Sequence, residues 1–88
     1  MGLFGYSPSE EKLRTALEPV AEACARSVVA TGSVDDAADV IAVHAASLQE
    51  AWRRLEAEGG RQSADKKFIG MFANVLGYMS HRVMGRNV

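Results

Sequence analysis

The residues in this chain that could do chemistry are few, and the first set surrounds a glycine pair. Gly59-Gly60-Arg61-Gln62-Ser63 leads into a stretch carrying Lys66 and Lys67. A glycine-bearing turn that opens a helix can hold a phosphate or carboxylate on its free backbone N–H groups, with cations nearby adding attraction. Arg61, Lys66 and Lys67 are therefore the candidate anion-binding residues. The spacing is not that of a P-loop, because the second glycine is not followed by Lys-Ser or Lys-Thr. A solvated turn whose lysines pair with Glu56 and Glu58 is the simpler expectation.

His44 is the second candidate. It stands beside Ile41, Ala45 and Leu48 on a helical wheel, which favours a hydrogen-bonded histidine at the edge of a core over a titrating interface switch. Metal chemistry has little support. A carboxylate-bridged di-iron bundle shows Glu-x-x-His pairs, whereas Ile41 and Tyr78 stand three residues before His44 and His81. One cysteine and two histidines make no zinc pattern. Cys24 falls on an apolar stripe, as a small buried hydrophobe does. No serine occupies a nucleophile elbow and no acid–base pair stands out. The residues thus point away from an enzyme, and no cofactor or metal is expected.

What must position these residues is a set of helices, of which the last is the most informative. At 100° per residue, Phe68, Ile69, Phe72, Leu76, Met79 and Val83 share about a third of the circumference. A second strip beside them holds Gly70, Ala73, Gly77 and Ser80, with Met84 at its end. Met71 and Val75 fall among Asn74, Tyr78, His81 and Arg82 on the remaining face. One apolar stripe of somewhat over 100° satisfies an ordinary surface helix, so two adjacent strips imply two neighbours. Gly70 and Gly77 each cost a helix interior roughly 1 kcal/mol relative to alanine, and close approach of another backbone could recover it. The candidate interface residues are therefore Gly70, Ala73, Gly77, Ser80, Met84, Phe72 and Leu76. A candidate apolar ligand pocket between the second and third helices would use Trp52, Phe68 and Phe72.

The first helix is announced by Ser7-Pro8-Ser9-Glu10, a capping box with proline at the first helical position. Leu13, Leu17, Val20, Cys24, Val28 and Thr31 follow on one face. Pro19 interrupts the run, removing a hydrogen bond to the carbonyl of Thr15; it lies opposite Leu13 and Cys24, so a kink rather than an end is expected. Gly32 closes this helix and Ser33 opens the next, with Asp36 completing a Ser-x-x-Asp pattern. Val34, Ala38, Ile41, Ala45, Leu48, Trp52 and Leu55 keep a four-three spacing resembling a coiled-coil seam. Gly59-Gly60 stops the second helix, and Ser63 is the expected cap of the third. The expected spans within a single helical domain 1–88 are an N-terminal arm 1–7 and helices 8–31, 34–58 and 63–85.

At 88 residues, 48% of them apolar and 24% charged, the chain has the balance of one globular domain rather than a disordered one. A net charge of −1 argues against a protein that works mainly by coating nucleic acid. Up to Gly60 ten acids face five bases, and from Arg61 onward five bases face the single acid Asp65. Basic Lys66 and Lys67 sit in the first turn of the third helix, where the macrodipole disfavours cations. The lone cysteine excludes an internal disulfide and favours a reducing, cytoplasmic compartment. Met1–Tyr6 lacks the basic and apolar regions of a secretory signal, has Tyr6 where myristoylation favours Ser or Thr, and no stretch is apolar enough to span a membrane. The expectation is an all-α three-helix bundle, an antiparallel hairpin plus a third apolar helix. Its expected role is protein–protein association as a homo-oligomeric adaptor, inhibitor or structural subunit, a dimer being favoured. The alternatives are a nucleic-acid-associated regulator using the basic last third, a less expected partner, and a binder of a small apolar ligand.

Overall fold

The computed structural model describes residues 6–86; the arm residues Met1–Gly5, Leu3 and Phe4 among them, and Asn87 and Val88 lie outside the described residues. Three helices pack against one another and no strand occurs among the described residues: α1 (Pro8–Thr31), α2 (Ala38–Gly59) and α3 (Arg61–Arg86), with a short 3-10 turn (Asp35–Ala37) leading into α2. This is the expected all-α three-helix bundle.

Local chemistry explains each boundary. Ser7 Oγ accepts the Glu10 N–H at 3.2 Å, and the Glu10 carboxylate accepts the Ser7 N–H at 2.9 Å, so two otherwise unpaired donors are satisfied reciprocally. The helix runs on through Pro19, with Thr15 exposed, which leaves its carbonyl to water. Gly32 ends α1 in the left-handed region (φ 76°), its N–H donating to the Val28 carbonyl at 2.8 Å. The Ser33 carbonyl then accepts the Ser27 hydroxyl at 2.5 Å, while Ser33 Oγ accepts the Asp35 N–H at 3.1 Å. Ser33 thus binds the first N–H of the 3-10 turn, whose N-cap is Val34, and the α-helix itself begins only at Ala38, four residues later than the Ser-x-x-Asp pattern predicts. At the other end the connection is a single residue. Gly60 (φ 90°) closes α2 with a 2.8 Å bond to the Glu56 carbonyl, and its own carbonyl accepts the Ala64 N–H at 3.0 Å. Ser63, the expected cap, is instead the third residue of α3.

The core follows from the stripes. Leu13, Leu17, Ala21 and Ala25 of α1 meet Ala51 and Leu55 of α2 and Ala64, Met71, Val75, Met79 and Val83 of α3. Val20, Cys24 and Ala37 form a smaller cluster beside it. Full burial of Leu13, Leu17 and Leu55 stabilises the fold by roughly 1.5–3 kcal/mol each.

Two predicted faces are displaced. On α3, Met71 and Val75 are 5% and 7% exposed although the wheel grouped them with polar residues, and Ile69, grouped with the core, is 68% exposed. The cause is that α1 packs on the Met71–Val75 flank, which rotates the buried arc away from Ile69. On α2, Leu55 of the predicted seam is buried, as is Ala51 beside it, while Val34, Ala38, Ile41 and Ala45 of that seam are exposed and Leu48 and Trp52 are half-buried. That seam lies at the edge of the buried arc, not at its centre. In α1 the stripe is buried from Leu13 to Cys24 and open at Val28 and Thr31.

Candidate interaction face

Besides the shared apolar core, α2 and α3 are joined by one side-chain hydrogen bond among the described residues. Trp52 Nε1–H donates to Asp65 Oδ1 at 2.8 Å. Leu48, Phe72 and Leu76 pack together beside Val20, Cys24 and Ala37. On the opposite flank of α3, Met71, Asn74, Val75 and Tyr78 line a groove of about 260 Å³ with Tyr6, Arg14 and Glu18 from the α1 side. Helix α1 therefore covers one flank of α3 and α2 covers part of the other.

Beyond α2's edge the α3 surface is open. Ile69, Gly70, Ala73, Gly77 and Met84 are exposed and Ser80 is half-buried. A Cβ added at Gly70 or Gly77 would meet nothing within 4 Å. The glycines therefore bring no backbone of the described residues closer, and α3 is one continuous helix through both of them. Phe72 and Leu76, also expected at an interface, are half-buried against the core. Alongside, α2 presents Ala38, Ile41, Ala42, Ala45 and Ala46, all exposed. Ala38, Ile41 and Ala45 were expected to face inward as part of the seam, and Ala42 and Ala46, one notch around the same helix, were not singled out because the stronger Val-Ile-Leu-Trp spacing masked them.

The remaining candidates are scattered. Arg61, Lys66 and Lys67 are exposed at the start of α3. Every ion pair among the described residues lies within α1, Arg14 with Glu11 and Glu18 and Arg26 with Glu22, so the expected pairing of these lysines with Glu56 and Glu58 is not formed. Glu58 instead accepts a hydrogen bond from the Ser9 hydroxyl. His44 is half-buried, and its Nδ1–H donates to the Val40 carbonyl at 2.9 Å, since a carbonyl can only accept. Its ring borders an open groove between α1 and α2 with Thr15, Pro19 and Glu50. Trp52, Phe68 and Phe72 are half-buried against the main core, and the two grooves described above border α1 rather than the α2–α3 junction. Cys24 is buried, and burial pushes its thiol pKa up, away from the reactive thiolate. Among the described residues no group of three His, Cys, Asp or Glu side chains could hold a metal ion, and no helix is long and apolar enough to cross a membrane.

No family model, curated protein or solved structure matches the chain. The face between α2 and α3 is open along parts of both helices. It offers small and branched apolar groups with no covering neighbour among the described residues.

Proposed function

We propose that this chain is a non-enzymatic helical protein acting by protein–protein association, as a homo-oligomeric adaptor, inhibitor or structural subunit. The observation that carries the reading is the open space over Gly70 and Gly77. Two helix-interior glycines cost about 2 kcal/mol relative to alanine, and no contact among the described residues requires either of them to lack a side chain. A second helix laid along Gly70, Ala73, Gly77 and Ser80 would gain close backbone approach and offset that cost. Dimers with two-fold symmetry are the commonest closed assembly.

Sedimentation velocity at micromolar concentration should report at least a dimer. Gly77→Leu and Gly70→Leu should each shift it toward monomer with helicity unchanged, because the added side chain points into open space in the single chain. A wild-type monomer whose mass neither variant alters would overturn the proposal. Retardation of DNA or RNA that weakens steeply with salt and is lost in Arg82→Glu would transfer the role to the exposed bases instead.

A further inference from the structure

The association face has a direction built into its charges. Resting on the reading above, we infer that the partner is a second copy of this chain, docked so that α3 of each protomer lies against α2 of the other. Helix α3 carries Arg61, Lys66, Lys67, Arg82 and Arg86 against the single acid Asp65, whereas residues 34–59 carry Asp35, Asp36, Asp39, Glu50, Glu56 and Glu58 against Arg53 and Arg54. Ion pairs among the described residues are confined to α1 and involve neither Arg61, Lys66, Lys67 and Arg82 nor the acids of residues 34–59.

Three ways of covering the α2–α3 face with its own copy follow from symmetry. Packing α3 on α3 sets a basic helix against a basic helix, and packing α2 on α2 sets acid against acid. Crossing them, α3 on α2 and α2 on α3 about a two-fold axis along the bundle, sets opposite signs together at both contacts. A helix is about 10–12 Å across and the Debye length at 0.1 M salt is about 10 Å, so a neighbouring helix feels the charge of the whole element and not only of the residue facing it. Like signs suppress the two wrong arrangements and fix the register of the right one. Steric fit agrees. The crossed arrangement lays the exposed Ala38, Ala42 and Ala45 of α2 against Gly70, Ala73 and Gly77 of α3, small groups on both sides. The molecule measures 40 × 28 × 18 Å, and a standard interface covers about 800 Å² on each partner, which one broad side can supply. Lys66, disfavoured by its own helix dipole, acquires a role in the basic half of this match, to which Lys67, near enough to Glu10 of α1 to lower its pKa, adds charge at longer range.

Charge reversal on separate chains tests the docking. One variant carries Lys66→Glu, Lys67→Glu and Arg82→Glu; the other carries Asp35→Lys, Asp39→Lys and Glu56→Lys. At low salt each alone should be monomeric with wild-type helicity, at a concentration where the wild type is dimeric. Mixing the two should restore the dimer, read as a mixed species by native mass spectrometry, because both contacts of the mixed pair again join opposite signs. The α3 variant mixed with wild type should stay dissociated, since one of its contacts would then join acid to acid. Pairing with wild type as readily as with the α2 variant would show α3 on α3 and overturn the inference while leaving self-association standing. A monomeric wild type overturns both. A melt of each variant separates loss of the partner from loss of the fold, as a chain unfolded by its own substitutions is not rescued by mixing.

Discussion

Glu10 completes the cap of α1 and in doing so becomes sensitive to acid. The Ser7 N–H, and secondarily the Ser7 hydroxyl, hold its carboxyl below the ordinary glutamate range, with Lys67 contributing least. A carboxylate whose pKa is lowered by folding stabilises the fold fully above the unfolded value of about 4.3, and that contribution disappears as pH falls through the lowered folded value. Thermal melts of wild type and Glu10→Gln should therefore differ at neutral pH and converge on acidification below pH 4; curves separated by the same interval at every pH would show that the charge contributes nothing. The capping box is also the part of the local chemistry most plainly readable in the sequence, since Ser7, Pro8 and Glu10 interact only with their own turn. His44 shows the limit of that reasoning. Its place at the edge of the core agrees with its position on the wheel, but its groove with Thr15, Pro19 and Glu50 is made by two helices and has no trace in local spacing.

Glycine takes opposite roles in different elements. At Gly60 (φ 90°) the one-residue connection between α2 and α3 demands a backbone that other residues rarely adopt, whereas Gly70 and Gly77 lie in regular helix with free space where a side chain would be. Gly70→Ala and Gly77→Ala should each stabilise the isolated chain by about 1 kcal/mol, and Gly60→Ala should destabilise it by roughly 1–3 kcal/mol. Urea unfolding at a concentration that keeps the chain monomeric gives both signs in one experiment. If the two α3 variants lose stability there, the strip is packed inside the single chain and the association face is misplaced. At this scale periodicity found the helices but misjudged their faces. A wheel gives the angle of Met71 relative to Phe72 but not the angle at which a neighbour arrives, and α1 arrives on the Met71–Val75 side.

At the scale of the molecule, polar contacts between helices are few and α2 meets α3 through the Trp52–Asp65 bond. Losing it should loosen the pair without emptying the core, which is formed by residues such as Leu13, Leu17 and Leu55. Asp65→Ala is expected to lower unfolding stability by about 1 kcal/mol, followed by Trp52 fluorescence in urea. A midpoint identical to wild type would make the bond a surface ornament and leave apolar packing as the only force setting the α2–α3 register. The same variant removes the one acid of α3, so in the crossed dimer it should not weaken association at low salt.

Composition and spacing alone determined that this chain is helical, where its three helices lie to within a few residues, and that α3 has more apolar and small-residue circumference than one neighbour can use. Those properties depend on contacts within a turn or two of helix, which a sequence carries directly. Only the tertiary structure decided which flank of α3 received α1, that α2 buries Ala51 and Leu55 while leaving Ile41 and Ala45 at the surface, and that none of the described residues covers Gly70 and Gly77. These are set by the directions from which residues tens of positions away approach, and periodicity along one helix holds no record of them.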